Sequence, residues 1–213
     1  SILDNNVELI TDKSFISDDS LLTIAIAEAI IYKKDYKQTL KQYGQKYGNN
    51  PTERENFFKN AFSPVFIKWA NSQTNENGTS KGNGAAMRVS PVAYLFDSLE
   101  EIEEEAKKSV IPSHNSEEAI KGAQCLASVI YLARQKTSKE GIKKYVNEKY
   151  QYDLKYSLED LQETNTFNGR CDVTVPQAIY VFLQSNVQSN ICKSFVLLPE
   201  PSTSTAVSAR PKL

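Results

Sequence analysis

Leu21-Leu22-Thr23-Ile24-Ala25-Ile26-Ala27-Glu28-Ala29-Ile30-Ile31 carries one charge and is apolar almost all round, the composition of a helix enclosed by its neighbours. Ser17, Asp18 and Asp19 stand just ahead of it, where Ser and Asp oxygens cap the first amides of a helix. The same Ser17-Asp18-Asp19-Ser20 segment presents adjacent carboxylates flanked by hydroxyls, the hard donors that Mg²⁺ or Ca²⁺ takes. Read from the residues alone, capping and metal binding both stand.

Outward from this helix, apolar residues recur mostly at three and four positions, which predicts an all-α protein. A second helix is expected from about Thr52 to Ala70, and the Asn-, Ser-, Thr- and Gly-rich stretch Asn71 to Gly84 reads as a loop. Pro91 is expected to limit regular helix just beyond it. Ser98 to Val110, with five glutamates and then Lys107 and Lys108, reads as an acidic, solvated surface helix with no part in a site. Ser116 to Arg134 opens with a capping Ser and carries an apolar face of Ile120, Ala123, Ala127, Ile130 and Tyr131. Glu140 to Tyr150 and Val175 to Ser185 complete the helices, the last with Pro176 in its first turn, where a missing N–H costs nothing. Residues 1–197 are expected to form one helical domain. Residues 198–213, with three prolines and few large apolar side chains, read as an irregular tail.

The chain has 213 residues, with 25 Lys+Arg against 26 Asp+Glu and a formal net charge of −1. Retention on nucleic acid or anionic lipid by bulk charge is therefore excluded, because counterion release needs excess basic groups. With 40% hydrophobic and 24% charged residues the composition is that of an ordinary globular core. No apolar run approaches the roughly 18–20 residues that span a bilayer, and the start Ser-Ile-Leu-Asp-Asn-Asn lacks the regions of a signal peptide. A cytoplasmic monomer without a membrane partner is the expectation. Cys125, Cys171 and Cys192 are odd in number and form no close pair, so they read as small core residues.

Two further segments could carry chemistry. In Ser80-Lys81-Gly82-Asn83-Gly84-Ala85-Ala86-Met87-Arg88, small residues allow close approach of the backbone to a ligand, amides can cradle phosphate, and Lys81 or Arg88 could supply counter-charge. A plain turn explains the Gly-Asn-Gly core equally well. His114, the one histidine, lies in Pro112-Ser113-His114-Asn115 ahead of the Ser116 helix, as either a loop residue or a ligand contact.

In this order the segments resemble the ADP-ribosylglycohydrolase family, of the dinitrogenase-reductase-activating glycohydrolase and ADP-ribosyl-acceptor hydrolase type. Phe15-Ile16-Ser17-Asp18-Asp19-Ser20-Leu21-Leu22-Thr23 is similar to that family's Phe-Thr-Asp-Asp-Thr metal motif, and Gly82-Asn83-Gly84-Ala85-Ala86-Met87-Arg88 to its phosphate-loop motif. His114 followed by Ala119-Ile120-Lys121-Gly122-Ala123 resembles a third segment, and Val175-Pro176-Gln177-Ala178 a fourth. The resemblance runs from about Asp4 to Asn190.

It implies a single compact orthogonal helical domain with a two-Mg²⁺ centre at the floor of a cleft for ADP-ribose or ADP-ribosylated protein. The implied reaction is hydrolysis of the C1″ glycosidic bond to the modified side chain. Ser17, Asp18 and Asp19 are the implied metal ligands, the two aspartates acting at the reaction centre. Ser80, Lys81, Gly82, Asn83 and Gly84 are the implied diphosphate contacts, and Met87, Arg88 and His114 the implied cleft lining.

Two departures bear on activity. The family's opening Gly-Asp segment and the Glu a few residues later have no equivalent in these residues. Its later Gly-Gly-Asp-x-Asp-Thr is best matched by Glu200-Pro201-Ser202-Thr203-Ser204-Thr205-Ala206, which puts Ser202 and Ser204 where aspartates are expected. Two anions are thereby replaced by neutral hydroxyls, so at most one Mg²⁺ is expected to bind well. The expectations are a hydrolase, a homologue that binds ADP-ribose without turnover, or a plain helical domain in which the aspartates only cap.

Overall fold

A computed structural model of the chain describes residues 16–48, 62–157, 161 and 168–185. Among the described residues the regular structure is helical, and the only β-type pairings are two isolated bridges, Thr79 with His114 and Gly82 with Arg170. The all-α expectation holds.

Helix α1 spans Asp18–Ile31 and buries Leu21, Leu22, Ala25, Ile26 and Ala29, one face at helical spacing. Its other side is not enclosed, since Ile24 and Ile31 are 52% and 59% exposed. Helix α2, Tyr36–Gly48, was not foreseen, because its segment is polar and tyrosine-rich and only Thr39, Leu40 and Gly44 are buried. A Cβ at Gly44 would lie 2.7 Å from the Ala70 Cβ, so glycine is what lets α2 close on α3, Pro64–Asn71. Ser63 caps α3 by accepting from the Phe66 amide. The rest of the helix expected from Thr52 lies outside the described residues.

Pro91 begins a helix instead of limiting one. It sits in the first turn of α4, Ser90–Leu95, where proline's fixed φ is already helical and its absent N–H has no intrahelical acceptor. Helix α5, Leu99–Val110, starts at the capping Ser98, and α6, Glu117–Arg134, at the capping Ser116. These two pack on each other most extensively, and α6 also meets α4 and the last helix, which makes it the centre of the fold. The small residues Ala119, Ala123 and Ala127 are fully buried along α6 and permit that close packing.

The acidic run of α5 is not all solvated. Glu103 accepts hydrogen bonds from the Tyr145 hydroxyl at 2.7 Å, the Tyr150 hydroxyl at 2.9 Å and Lys149 Nζ at 2.7 Å. Burial raises the Glu103 pKa, but these donors outweigh it and hold the carboxyl below its ordinary value. They bind α5 to α7, Lys139–Tyr145, and to the π-helical turn Val146–Tyr150 that continues it.

The last helix, α8, spans Cys171–Gln184, so Pro176 lies inside it and not in its first turn. The start is moved upstream by a tertiary contact, the Cys171 amide donating to the Lys81 carbonyl at 3.0 Å. No sequence signal marks it, because Arg170 occupies the cap position without a side-chain cap bond. Cys125 and Cys171 are buried free thiols, as expected of core cysteines, while Cys192 and residues 198–213 lie outside the described residues. No helix among the described residues is long and apolar enough to cross a membrane.

Candidate functional site

The segment Gly78–Ala85 is held between two flanking strips of backbone. On one side Gly78 N–H donates to the Pro112 carbonyl at 2.9 Å, and Asn115 N–H returns to the Gly78 carbonyl at 2.7 Å. A Cβ at Gly78 would lie 2.4 Å from the Ser113 carbonyl oxygen, so this pairing requires glycine. On the other side Asn83 N–H donates to the Gly169 carbonyl at 2.7 Å and the Cys171 thiol to the Gly82 carbonyl at 3.2 Å. Ser80 Oγ accepts from Gly82 N–H at 3.1 Å, and the Ser80 carbonyl accepts from Ser116 Oγ at 3.0 Å. The chain then enters a 3₁₀ turn, Asn83–Ala85, whose opening amides at Gly84 and Ala85 precede its first internal bond, Ala86 N–H to the Asn83 carbonyl.

This turn faces His114. A Cβ at Gly84 would sit 3.1 Å from His114 Nε2, and one at Gly82 3.8 Å from it. His114 is only 7% exposed, and its Nδ1 lies 2.8 Å from Ser113 Oγ. Burial first, and the Arg88 charge second, hold the imidazole well below its ordinary pKa, so it is neutral at neutral pH. Met87 is half-buried beside the same turn.

Arg88 is fully buried. Its Nη2 donates to Ser113 Oγ at 2.8 Å and reaches the Ser109 carbonyl at 3.4 Å, while Nε and Nη1 have no hydrogen-bond partner among the described residues. Burial lowers the guanidinium to about 10, against the opposing influence of Cys171 and of the Asp18 carboxylate at the start of α1. Lys81, by contrast, points to Glu118 at 2.7 Å, with Arg170 3.5 Å from the same carboxylate oxygen and bonded in a fork to Asp172 at 2.9 Å. The hydrogen bond from Lys81 holds Glu118 below its ordinary value. The two cations nearest the loop are thus engaged in the fold, one in an exposed ion pair and one in the core.

Ser17 occupies the N-cap position of α1 but makes no capping bond there; its hydroxyl donates instead to Asp19 Oδ2 at 3.0 Å. Asp19 is exposed and Asp18 half-exposed. A hydroxyl and two carboxylates have the donor chemistry of a hard cation, and their clustering at one helix start fits a single Mg²⁺ in kind. Among the described residues no group of three or more His, Cys, Asp or Glu side chains forms a fuller metal cage.

Four contributors escaped the sequence reading: Ser113, which joins Arg88 to His114; Cys171, which holds Gly82; Glu118, which takes Lys81; and Gly122. A Cβ at Gly122 would come within 3.0 Å of the Cys171 Cβ, so this glycine brings the start of α8 against α6 and the loop.

Comparison with known proteins agrees with the all-helical fold. The sequence model described as ADP-ribosylglycohydrolase matches residues 5–207. The chain is 26% identical over 138 residues to the protein named ADP-ribosylhydrolase ARH3 of Mus musculus, 60% of this chain and 37% of the relative. It is 27% identical over 129 residues to the Gallus gallus protein of that name, 56% and 35% of the two lengths. The Homo sapiens protein is 26% identical over 135 residues, 59% and 37%. The matches thus span little more than a third of these relatives. With the family match running through nearly all of its sequence and an all-helical fold beneath it, the chain belongs to the ADP-ribosylglycohydrolase family.

Proposed function

We propose that this chain binds ADP-ribose through the Ser80–Arg88 segment and His114 and, with Mg²⁺ at Ser17, Asp18 and Asp19, hydrolyses the C1″ glycosidic bond of ADP-ribosylated protein. The observation that carries the reading is the approach of His114 Nε2 to Gly84 and Gly82, which sets the imidazole directly against the backbone of the loop. The Gly84 and Ala85 amides and the imidazole then serve one diphosphate, and no lysine is needed there. Gly84 binds with its backbone amide, Gly82 and Asn83, whose own amides are taken by Ser80 and Gly169, line the approach, Ser80 holds the loop shape, Lys81 braces the loop against Glu118, and Met87 with Arg88 backs it from the core.

A bound Mg²⁺ supplies an activated water and polarises neighbouring hydroxyls. Ser17 orients the Asp19 carboxylate through its 3.0 Å bond, and the Asp18 carboxylate opposes the lowering of the Arg88 pKa by burial. A second reading, binding without turnover, is favoured because Asp18 and Asp19 are the acidic donors grouped here among the described residues, against the four positive charges of two Mg²⁺ ions. The test is release of ADP-ribose from an ADP-ribosylated arginine or serine peptide with Mg²⁺ titrated, run beside calorimetric binding of ADP-ribose. Mg²⁺-dependent release supports the hydrolase, binding without release the second reading, and the absence of both overturns the proposal.

A further inference from the structure

Arg88, Ser113 and His114 form a chain of hydrogen bonds that the proposed reaction does not use. A guanidinium can only donate, so Arg88 Nη2 donates to Ser113 Oγ, 2.8 Å away. The hydroxyl keeps one proton of its own. Its other polar neighbour is His114 Nδ1, also at 2.8 Å, and Ser113 and His114 are 5% and 7% exposed. Were Nδ1 to carry the ring proton, the hydroxyl would accept twice and its own proton would face no acceptor in a buried setting, which folded proteins avoid.

We infer that Ser113, oriented by Arg88, fixes His114 as the Nε2–H tautomer and so turns a hydrogen-bond donor toward the Gly82–Gly84 loop. The ring is held neutral by burial and by the adjacent guanidinium, so one proton must be placed on one of two nitrogens. Arg88 cannot swing away, being wholly enclosed, and its own contacts to Ser113 Oγ and the Ser109 carbonyl set the direction from which the hydroxyl is approached. Of the two ring nitrogens, Nε2 is the one that faces the glycines. Ser113 and Arg88 are therefore positioning residues, acting on a ligand through His114. That the ligand is the diphosphate of ADP-ribose rests on the function proposed above; the tautomer does not.

His114 is the sole histidine, so the imidazole nitrogens of the ¹⁵N-histidine-labelled chain give one unambiguous pair of signals. The expected spectrum at neutral pH has an unprotonated Nδ1 and a protonated Nε2. A proton on Nδ1, or an even mixture of tautomers, overturns the inference. Ser113→Ala is expected to loosen the bias toward a mixture and to weaken ADP-ribose binding about fivefold, the size of one neutral hydrogen bond, while Ser113→Thr restores both. If Ser113→Ala fails to fold, the parent spectrum alone decides the tautomer. ADP-ribose added to the parent should shift Nε2 and leave Nδ1 nearly in place. An Nε2–H tautomer that does not respond to ADP-ribose supports the Ser113 assignment and overturns the ADP-ribose reading.

Discussion

The Cys171 thiol donates to the Gly82 carbonyl at 3.2 Å, and the Cys171 amide donates to the Lys81 carbonyl at 3.0 Å, so one residue at the start of α8 clamps two consecutive carbonyls of the loop. Its burial raises the thiol to about 12, keeping it protonated and able to donate at neutral pH. Cys171→Ala should cost about 1–2 kcal/mol through the lost bond and the small void, and should weaken ADP-ribose binding. Chemical denaturation and calorimetry read the two effects. Alkylation of the native chain should spare Cys171 and Cys125 until it unfolds, and rapid native labelling of Cys171 would show that the clamp is open.

Gly122 and Gly84 separate packing from binding. Neither has a positive φ, so the effect of an added methyl is steric alone. At Gly122 it would meet the Cys171 Cβ at 3.0 Å and Val175 Cγ2 at 3.3 Å, both in the core, so Gly122→Ala should cost about 1–3 kcal/mol by overpacking. At Gly84 it would meet the imidazole at 3.1 Å. Gly84→Ala should weaken ADP-ribose binding more than Gly122→Ala does, and equal losses of affinity in both variants would contradict this division.

Glu103 tests the network behind α5. Glu103→Ala leaves the Tyr145 and Tyr150 hydroxyls and Lys149 without their common acceptor, at a cost of about 2–3 kcal/mol, whereas Glu104→Ala on the exposed side should change stability by less than about 0.5 kcal/mol. Urea midpoints of the two variants give the comparison.

These contrasts show which parts of the molecule the chain discloses. Helices α5 and α6 are legible because Ser98 and Ser116 cap them and their apolar residues repeat at helical spacing. Helix α2 is not, since its buried side is built from Thr39, Leu40 and a glycine that only α3 makes necessary. Likewise nothing local distinguishes Glu103 from Glu104; the difference is the arrival of Tyr145, Tyr150 and Lys149 from more than forty residues away. At the site, Gly82–Arg88 and His114 are readable as a motif. That Arg88 turns into the core, and that Ser113 connects it to His114, depends on tertiary burial and leaves no trace in spacing.

His114 gives the protein a distinct pH response. Its folded pKa is depressed, so between that value and the ordinary imidazole value near 6.5 the unfolded chain binds a proton the folded chain refuses. Stability therefore falls as pH drops below about 6.5, by up to about 1.4 kcal/mol per pH unit. The carboxyls Glu103, Glu28 and Glu118 are also held low, but their losses begin only below their ordinary range near 4.5. With a single histidine, urea midpoints between pH 7 and pH 5 should show this slope and His114→Gln should flatten it; a flat parent profile would mean that the imidazole can charge in the folded state.

The aspartates at the start of α1 offer the sharpest discrimination between capping and metal binding. Asn caps as well as Asp, so Asp18→Asn and Asp19→Asn preserve helix initiation while each removes one anionic donor. The Ser17 hydroxyl is directed at Asp19 Oδ2 and not at a backbone amide, so the Ser17 side chain gives the cap no hydrogen bond. Both variants should keep the parent's stability to within about 0.5 kcal/mol. If Mg²⁺ is held by these groups, it should tighten ADP-ribose binding in the parent and have no such effect in either variant, as calorimetry with and without the ion would record. Asp18→Asn should also lower the Arg88 pKa further, since that carboxylate opposes the burial of the guanidinium, and this change belongs to Asp18 and not to Asp19. An equal Mg²⁺ response in all three chains would leave the aspartates with only their place at the helix start.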